Sequence, residues 1–431
     1  MNALRPWSFP LIVFLASHVT NAQTVTLRRA VELSLQHSGQ ATLAAADQQK
    51  ALAAYREARS AYLPRLVFGS GIGASYGFPL SLENAAPSLF NVTSQQILYS
   101  PAHTQFVRAA RTDTEATTSI NADQRDAIIQ ETVLAYIELS KWGQDSDLLA
   151  TALTNNQKTE KIEEERVAAG VDKQVDLDRA KLATARVEMR VAEAKGSADV
   201  LRLRLAQLTG LSAEELGTDP DSIPNFPEVQ QDDDMGKKAA QANPAVKAAR
   251  QQALSKQFAA DGEHKAAIYP SFDIAGQYAL LSNFNNYQVF LQKFQNNNAS
   301  GGIVIHLPFF DRTQRARAAE AKADFIRASR EAEQVKDKIS LETLRLQRSV
   351  QELEAATDVS QLEYKLAQSE LEATEARLQA QVGTLREEQD ARTKVEQAYD
   401  SLMDANLTLQ KAKIQLLRNT GELEQWAMAG K

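Results

Sequence analysis

Four short segments of this chain recur in the same order about 210 residues later. AYLPRL (61–66) is answered by AIYPSF (267–272), and HTQFVRAAR (103–111) by RTQRARAAE (312–320). RVAAGVDKQVDLDRAK (166–181) pairs with LQAQVGTLREEQDART (378–393), and LAQLTG, ending at Gly210, with LLRNTG, ending at Gly421. Chance does not preserve both order and spacing over four segments, so the chain reads as one unit written twice. Each unit predicts a helix, a proline, two strands, a long helix, a glycine, a second helix and a closing Thr-Gly. The expected organisation is a leader at 1–22, a first repeat at 23–210, a connector at 211–235, a second repeat at 236–421 and a tail at 422–431.

The helical part is unusually long. No proline or glycine interrupts residues 311 to 382, and a continuous helix there spans on the order of 100 Å. Ile339, Leu346 and Leu353 recur every seven residues, and Val335, Val350, Leu362 and Leu366 extend the apolar stripe, as on a coiled-coil face. The first copy offers a similar run from Ala102 to Ala169, broken only by Gly143, and the second helix of each pair is expected between Gly170 and Gly210 and between Gly383 and Gly421. Only 6% of the chain is aromatic, in keeping with long helices that pack on one another.

The strands have two unlike faces. From Leu66 to Phe78 the large apolar residues take alternate positions, with Gly69, Gly71, Gly73 and Ser75 between them. SLFNVTSQQILYS (88–100) sets Phe90, Val92 and Leu98 against polar neighbours; FDIAGQYALL sets Phe272, Ile274, Tyr278 and Leu280 against Asp273 and Gln277; GGIVIHLPFF sets Ile303, Ile305, Leu307 and Phe309 against Gly302, Val304 and His306. Segments of about ten residues with one apolar and one small or polar face build transmembrane barrels and also half-buried soluble sheets. The first residues favour the former setting: Arg5, the apolar FPLIVFLAS and the small residues before Gln23 read as an export leader. The chain has no cysteine, hence no disulfide and no thiol for a lipid anchor.

A count then limits the architecture. One chain supplies four strands, a spanning barrel needs about eight or more, and an open sheet edge in lipid costs several kcal/mol per orphaned backbone group. The sheet is expected to close by oligomerising. Two chains make a barrel filled by side chains; three make twelve strands with room for a lumen. The bare face, with Gly69, Gly71, Gly73, Asp273, Gln277 and His306, favours the wider barrel and is expected to face its passage.

The ordered set of Tyr62-Leu63-Pro64 and Tyr269-Pro270 before the first strand of each copy, Gly170 and Gly383 at the helix-pair junctions, and Thr209-Gly210 with Thr420-Gly421 at the ends resembles the TolC family of outer-membrane efflux proteins over essentially the whole chain after the leader. The resemblance implies a mainly α fold with a membrane β-barrel portion: a homotrimer with a twelve-stranded barrel in the outer membrane on a periplasmic α-helical barrel. It implies a passive exit duct served by a periplasmic adaptor and an inner-membrane transporter, with outer-membrane lipid around it. It also implies that the helix-pair junctions form the periplasmic entrance, with acidic residues six and nine positions after the second glycine. Here those positions hold Gln389 and Arg392, with Arg386, Glu387, Glu388 and Asp390 nearby; Asp176 stands six after Gly170, flanked by Asp172 and Asp178. These charges are the candidate gate, and a salt bridge such as Arg386 to Asp176 is the kind of link expected to hold it shut.

Five scattered histidines without metal-type spacing and the lack of nucleophile-elbow or phosphate-loop motifs argue against an enzyme, a metal site or another cofactor. A net charge of -7 without a basic cluster argues against nucleic acid. The rival reading is a periplasmic coiled-coil adaptor or structural protein without a pore, which accounts for the helices but leaves the tandem strand pairs unexplained.

Overall fold

The computed structural model describes residues 23–71, 88–229, 232–281 and 295–430. The expected leader, Gly73 and most of the segment 283–298 lie outside the described residues. In chain order the elements are β1 (Gln23–Val25), α1 (Leu27–His37), α2 (Gly39–Ser60), β2 (Arg65–Gly69), β3 (Ser88–Tyr99), α3 (Pro101–Ala168), α4 (Gln174–Thr209) and β4 (Leu216–Thr218). They continue with α5 (Met235–Ala242), α6 (Pro244–Ala266), β5 (Ser271–Leu281), β6 (Asn297–His306), α7 (Arg312–Gln379), α8 (Leu385–Thr420) and α9 (Leu423–Met428). The two long helices α3 and α7 have 68 residues each, and their partners α4 and α8 have 36 each. Equal lengths in both halves make the duplication a property of the fold as well as of the sequence.

Local chemistry sets the helix ends. Pro101 opens α3, where a missing N–H costs nothing, and the Ser100 hydroxyl accepts the His103 N–H at 3.1 Å. Asp311 caps α7 by accepting the Gln314 N–H at 2.9 Å. Thr384 and Glu387 form a reciprocal capping box on α8. Gly210 and Gly421 end α4 and α8 in the left-handed conformation, at φ 75° and 80°. Gly143 does not break α3, which runs through it.

One compact unit comprises the described residues up to Ser38, Thr132–Asn225 and the chain from Ala427. Leu27, Val31, Val133 and Leu205 are fully or almost fully buried in it around Tyr136. The connector is not a plain solvated strap here: β4 pairs in parallel with β1, between two short 3-10 turns at Ala213–Glu215 and Pro220–Ser222. The Tyr136 hydroxyl ties this corner together. It donates to the Val25 carbonyl at 2.6 Å, accepts the Asp219 N–H at 2.8 Å and meets the Ser222 Oγ at 2.9 Å. Ser222 Oγ in turn accepts the Leu27 N–H at 3.0 Å.

The second unit comprises Gly39–Glu131 and Phe226–Trp426. Its α7 packs on α6 and α8. The fully buried line on α7 is Thr343, Gln347 and Val350, whereas the predicted heptad Ile339, Leu346 and Leu353 is half-buried, and Leu362 and Leu366 are exposed. Small and medium side chains occupy the line of closest approach because the helices sit near one another, and the larger ones flank it. Gly236 shows how near: a Cβ there would lie 2.5 Å from the Ser340 carbonyl oxygen of α7. Among the described residues no helix is long and apolar enough to cross a membrane.

Candidate functional site

The sheet of the second unit has the order β2-β3-β5-β6, antiparallel throughout. Its register separates two chemistries. Phe68, Val92 and Tyr278 share one rung, Gln96, Ile274 and Ile303 another, and Tyr99, Phe272 and Ile305 a third. Directly paired residues point to the same side, so Leu66, Phe68, Phe90, Val92, Phe272, Ile274, Tyr278, Ile303 and Ile305 make one apolar face, which also carries Ser94, Gln96, Asn297 and small residues. Leu66, Phe68, Ile303 and Ile305 on it are all more than half exposed.

The opposite face is mainly polar or bare, with Val67, Ile97 and Val304 its larger apolar members. Arg65, Gln95, Ala275 and Gly302 form one rung, Val67, Thr93, Gln277 and Ser300 the next, and Gly69, Asn91, Ala279 and Asn298 a third. Asp273 and His306 lie on this side as well, adjacent across β5 and β6. The buried Asp273 carboxylate accepts from Gln95 Nε2 at 3.4 Å and lies 3.5 Å from His306 Nε2. The face lines an open concavity of about 480 Å³. Gly69, Asp273, Gln277 and His306 thus sit together on one side; a side chain at Gly69 would collide with that of Asn91. Gly71 lies past the end of β2.

Two details depart from simple alternation. A bulge between Ile97 and Tyr99 carries Tyr99 onto the rung of Phe272, their rings 6.1 Å apart, and leaves Leu98 out of the register expected for it. Leu307 and Phe309 are not strand residues: β6 ends at His306, before Pro308. The outer edges of β2 and β6 pair with no described strand.

The helix-pair turns carry the candidate gate charges. In the turn between α3 and α4, Gly170 is left-handed at φ 73°. Arg166 clamps Asp172 with two guanidinium nitrogens, the second at 3.3 Å, and this hydrogen bond holds the Asp172 carboxyl below its ordinary range. Glu163 is buried beside that pair with Oε2 lacking a hydrogen-bond partner, and burial, then the Asp172 charge, push its carboxyl upward. Asp176 lies in the first turn of α4, 3.3 Å from Arg179, and Asp178 accepts from Gln174 Nε2 at 3.1 Å.

In the turn between α7 and α8 the left-handed residue is Gln381, at φ 59°. The helices of the two copies and these two residues share one offset, so Gly170 corresponds to Gln381. The pairing of Gly170 with Gly383 read from sequence is therefore displaced by two residues. Gly383 serves a different need, since a Cβ there would come within 3.0 Å of the Leu378 nitrogen. Counted from the left-handed residue, positions six and nine are Asp176 and Arg179 in the first turn and Glu387 and Asp390 in the second. Glu387 closes the capping box, Arg386 lies 3.9 Å from Asp390, and Arg392 bridges Glu388 at 2.7 Å and Glu375 at 2.6 Å. Arg386 and Asp176 each have a near neighbour on their own helix. Glu163, Arg166 and Glu375 were not expected at these sites; single charges on long charged helices give no sequence signal of their partners.

Residues 235–422 match the outer membrane efflux protein family. That match covers the second repeat, and solved structures extend the likeness to nearly the whole chain. The outer membrane protein VceC of Vibrio cholerae is 18% identical and superposes with a TM-score of 0.75 over 92% of this chain and 96% of its own. The CmeC outer membrane channel of Campylobacter jejuni is 15% identical, with a TM-score of 0.76 over 92% and 86% of the two chains. The open state of the MtrE outer membrane channel of Neisseria gonorrhoeae is 17% identical, with a TM-score of 0.73 over 92% and 89%. No curated protein matches in sequence. At these identities the shared property is the fold: a helical barrel portion joined to a β-barrel portion.

Proposed function

We propose that this protein is the outer-membrane exit channel of a tripartite efflux or type I secretion assembly. It conducts substrates passively from a periplasmic adaptor and inner-membrane transporter to the exterior. The observation that carries this reading is the two-faced sheet whose outer edges pair with no described strand: an apolar face suited to lipid, a polar concave face suited to water, and backbone groups that lipid does not tolerate unpaired. Three chains close the edges into twelve strands with an aqueous lumen. Gly69, Gly71, Asp273, Gln277 and His306 face that lumen, and the leader at 1–22 directs export. The turns at Gly170 and at Gln381–Gly383 form the periplasmic entrance, where Asp172, Asp176, Asp178, Arg386, Glu387, Glu388 and Asp390 set field and closure.

The particle mass of the full chain in mild detergent, corrected for bound detergent, tests the assembly; three chains are expected. Planar-bilayer recordings then test the pore. Asp176→Asn and Glu388→Gln are expected to lower cation over anion permeability relative to the parent. A one-chain particle, extraction from membranes by salt alone, or a trimer without conductance rejects the channel.

A further inference from the structure

The lower end of β5 and β6 carries an apolar collar followed at once by unpaired positive charge. Ile268 and Tyr269 precede β5, and Leu307, Phe309 and Phe310 follow β6; all five are more than half exposed, Phe309 at 95%. The Ser271–His306 rung sets the two segments side by side. Gln314 reinforces this by donating to the Glu263 carbonyl at 3.2 Å and carboxylate at 2.6 Å, tying the start of α7 to the end of α6. Arg312, Arg315 and Arg317 then fall in the first two turns of α7, all exposed and with no ion-pair partner among the described residues. The acids near them are Asp311, which caps the helix, Glu263, whose carboxylate Gln314 holds, and Glu320. Lys265, in the last turn of α6, adds to the positive side.

The internal repeat supplies a control for what these arginines do. In the segment match of 103–111 with 312–320, which runs two residues short of the offset shared by the helix bounds, Arg312 stands against His103, whose Nε2 lies 2.7 Å from the Ala58 carbonyl. Arg315 aligns with Phe106, which packs against Gly262, where a Cβ would lie 2.6 Å from its ring. In the first copy those two positions make contacts within the fold, and the third arginine, Arg317, stands against Arg108; the copies therefore differ at Arg312 and Arg315, whose side chains have no hydrogen bond or ion pair among the described residues. Aromatic side chains beside arginines at the end of an apolar sheet face match the boundary between acyl chains and headgroups, where rings sit at headgroup level and cations meet phosphate.

We infer that residues 307–317 are a docking collar for anionic phospholipid, with Phe309 and Phe310 entering the bilayer interface and Arg312, Arg315 and Arg317 binding headgroup phosphates on the helical-barrel side. This rests on the membrane reading above and adds a lipid preference to it. Three arginines near a negative surface favour anionic over zwitterionic lipid by at least about tenfold at low salt. The test is native mass spectrometry of the detergent-solubilised full chain, titrated with phosphatidylglycerol or phosphatidylcholine, beside flotation after detergent removal with vesicles of each. The parent is expected to retain phosphatidylglycerol at about a tenth of the concentration that phosphatidylcholine needs. The triple variant Arg312→Gln/Arg315→Gln/Arg317→Gln is expected to lose that preference yet still float, and Phe309→Ala/Phe310→Ala to weaken retention of both lipids. Equal retention of both lipids by a parent that floats, or a preference unchanged in the triple variant, overturns the collar while leaving the membrane reading intact. A parent that floats with neither vesicle overturns both.

Discussion

Tyr136→Phe isolates a single buried hydroxyl. The side chain is fully buried, and its ring stays in the variant, so packing is nearly conserved. What is lost is the donor to the Val25 carbonyl and the acceptor of the Asp219 N–H, at 2.6 and 2.8 Å. Ser222 keeps its bond to the Asp219 carbonyl at 2.6 Å and continues to accept the Leu27 N–H. A buried backbone group stripped of its partner costs about 1–3 kcal/mol; with two affected, one of them at the turn before the 3-10 segment, the corner loses about 2–3 kcal/mol. Since 1.4 kcal/mol corresponds to about tenfold, opening of β1 and β4 becomes roughly 30- to 150-fold more frequent. Amide hydrogen exchange, followed by mass spectrometry on peptides spanning 23–38 and 216–225, reads this directly, with a peptide from α8 as the internal reference. Ser222→Ala should raise exchange in the same two peptides, and the double variant should fall short of the sum, because both act on one network. Protection within threefold of the parent in both peptides would show that β1 and β4 are held by something other than this hydroxyl.

The remaining predictions concern charge and glycine. Burial, then repulsion from Asp123 and Glu424, raises the Asp126 carboxyl to about 6, with Arg418 and Arg125 opposing. The folded chain therefore holds a proton that the unfolded chain releases; the associated stability is full below about pH 4 and is lost as pH rises through 6. Asp126→Asn should stabilise the chain at pH 7.5 by about 1 kcal/mol, after discounting for partial exposure, and flatten the denaturant midpoint between pH 5 and pH 7; a parent-like slope would reject this. Gly236→Ala should push α5 off α7 and cost about 1–3 kcal/mol, since the nearest atom is backbone. Gly143→Ala, with nothing within 4 Å of the new methyl, should gain about 0.5–1 kcal/mol in the same melting assay. Gly170→Ala should cost about 1 kcal/mol through its left-handed backbone; an unchanged melting temperature would mean the turn can relax to another shape.

What could be read in advance was whatever local chemistry dictates. The repeat order, the run from 311 to 382 without proline or glycine and the Thr-Gly closures set the helices to within a few residues, and period-two alternation placed Asp273, Gln277 and His306 on one sheet face. What escaped depends on groups far apart in the chain. Nothing around Tyr136 announces bonds to Val25 and Asp219. The bulge that displaces Leu98 arises from pairing with β5, and β6 stops at His306 although alternation continues to Phe309. The helix-pair turn was misaligned because glycine is the usual left-handed residue, while the second copy uses Gln381 there and keeps Gly383 for a close backbone approach. Of the candidate gate charges, the acids were visible one by one, but not that Arg166, Arg179 and Arg392 lie against them.

The open edges of β2 and β6 have a consequence for the cell as well as for the fold. If lipid accepts the sheet only when three chains close it, residence in the membrane belongs to the assembly and not to the chain. Formation of closed assemblies then depends on roughly the third power of the free subunit concentration while most subunits are unassembled. Halving synthesis would remove far more than half of those assemblies, and subunits left waiting would present two strand edges to any other chain able to pair with them.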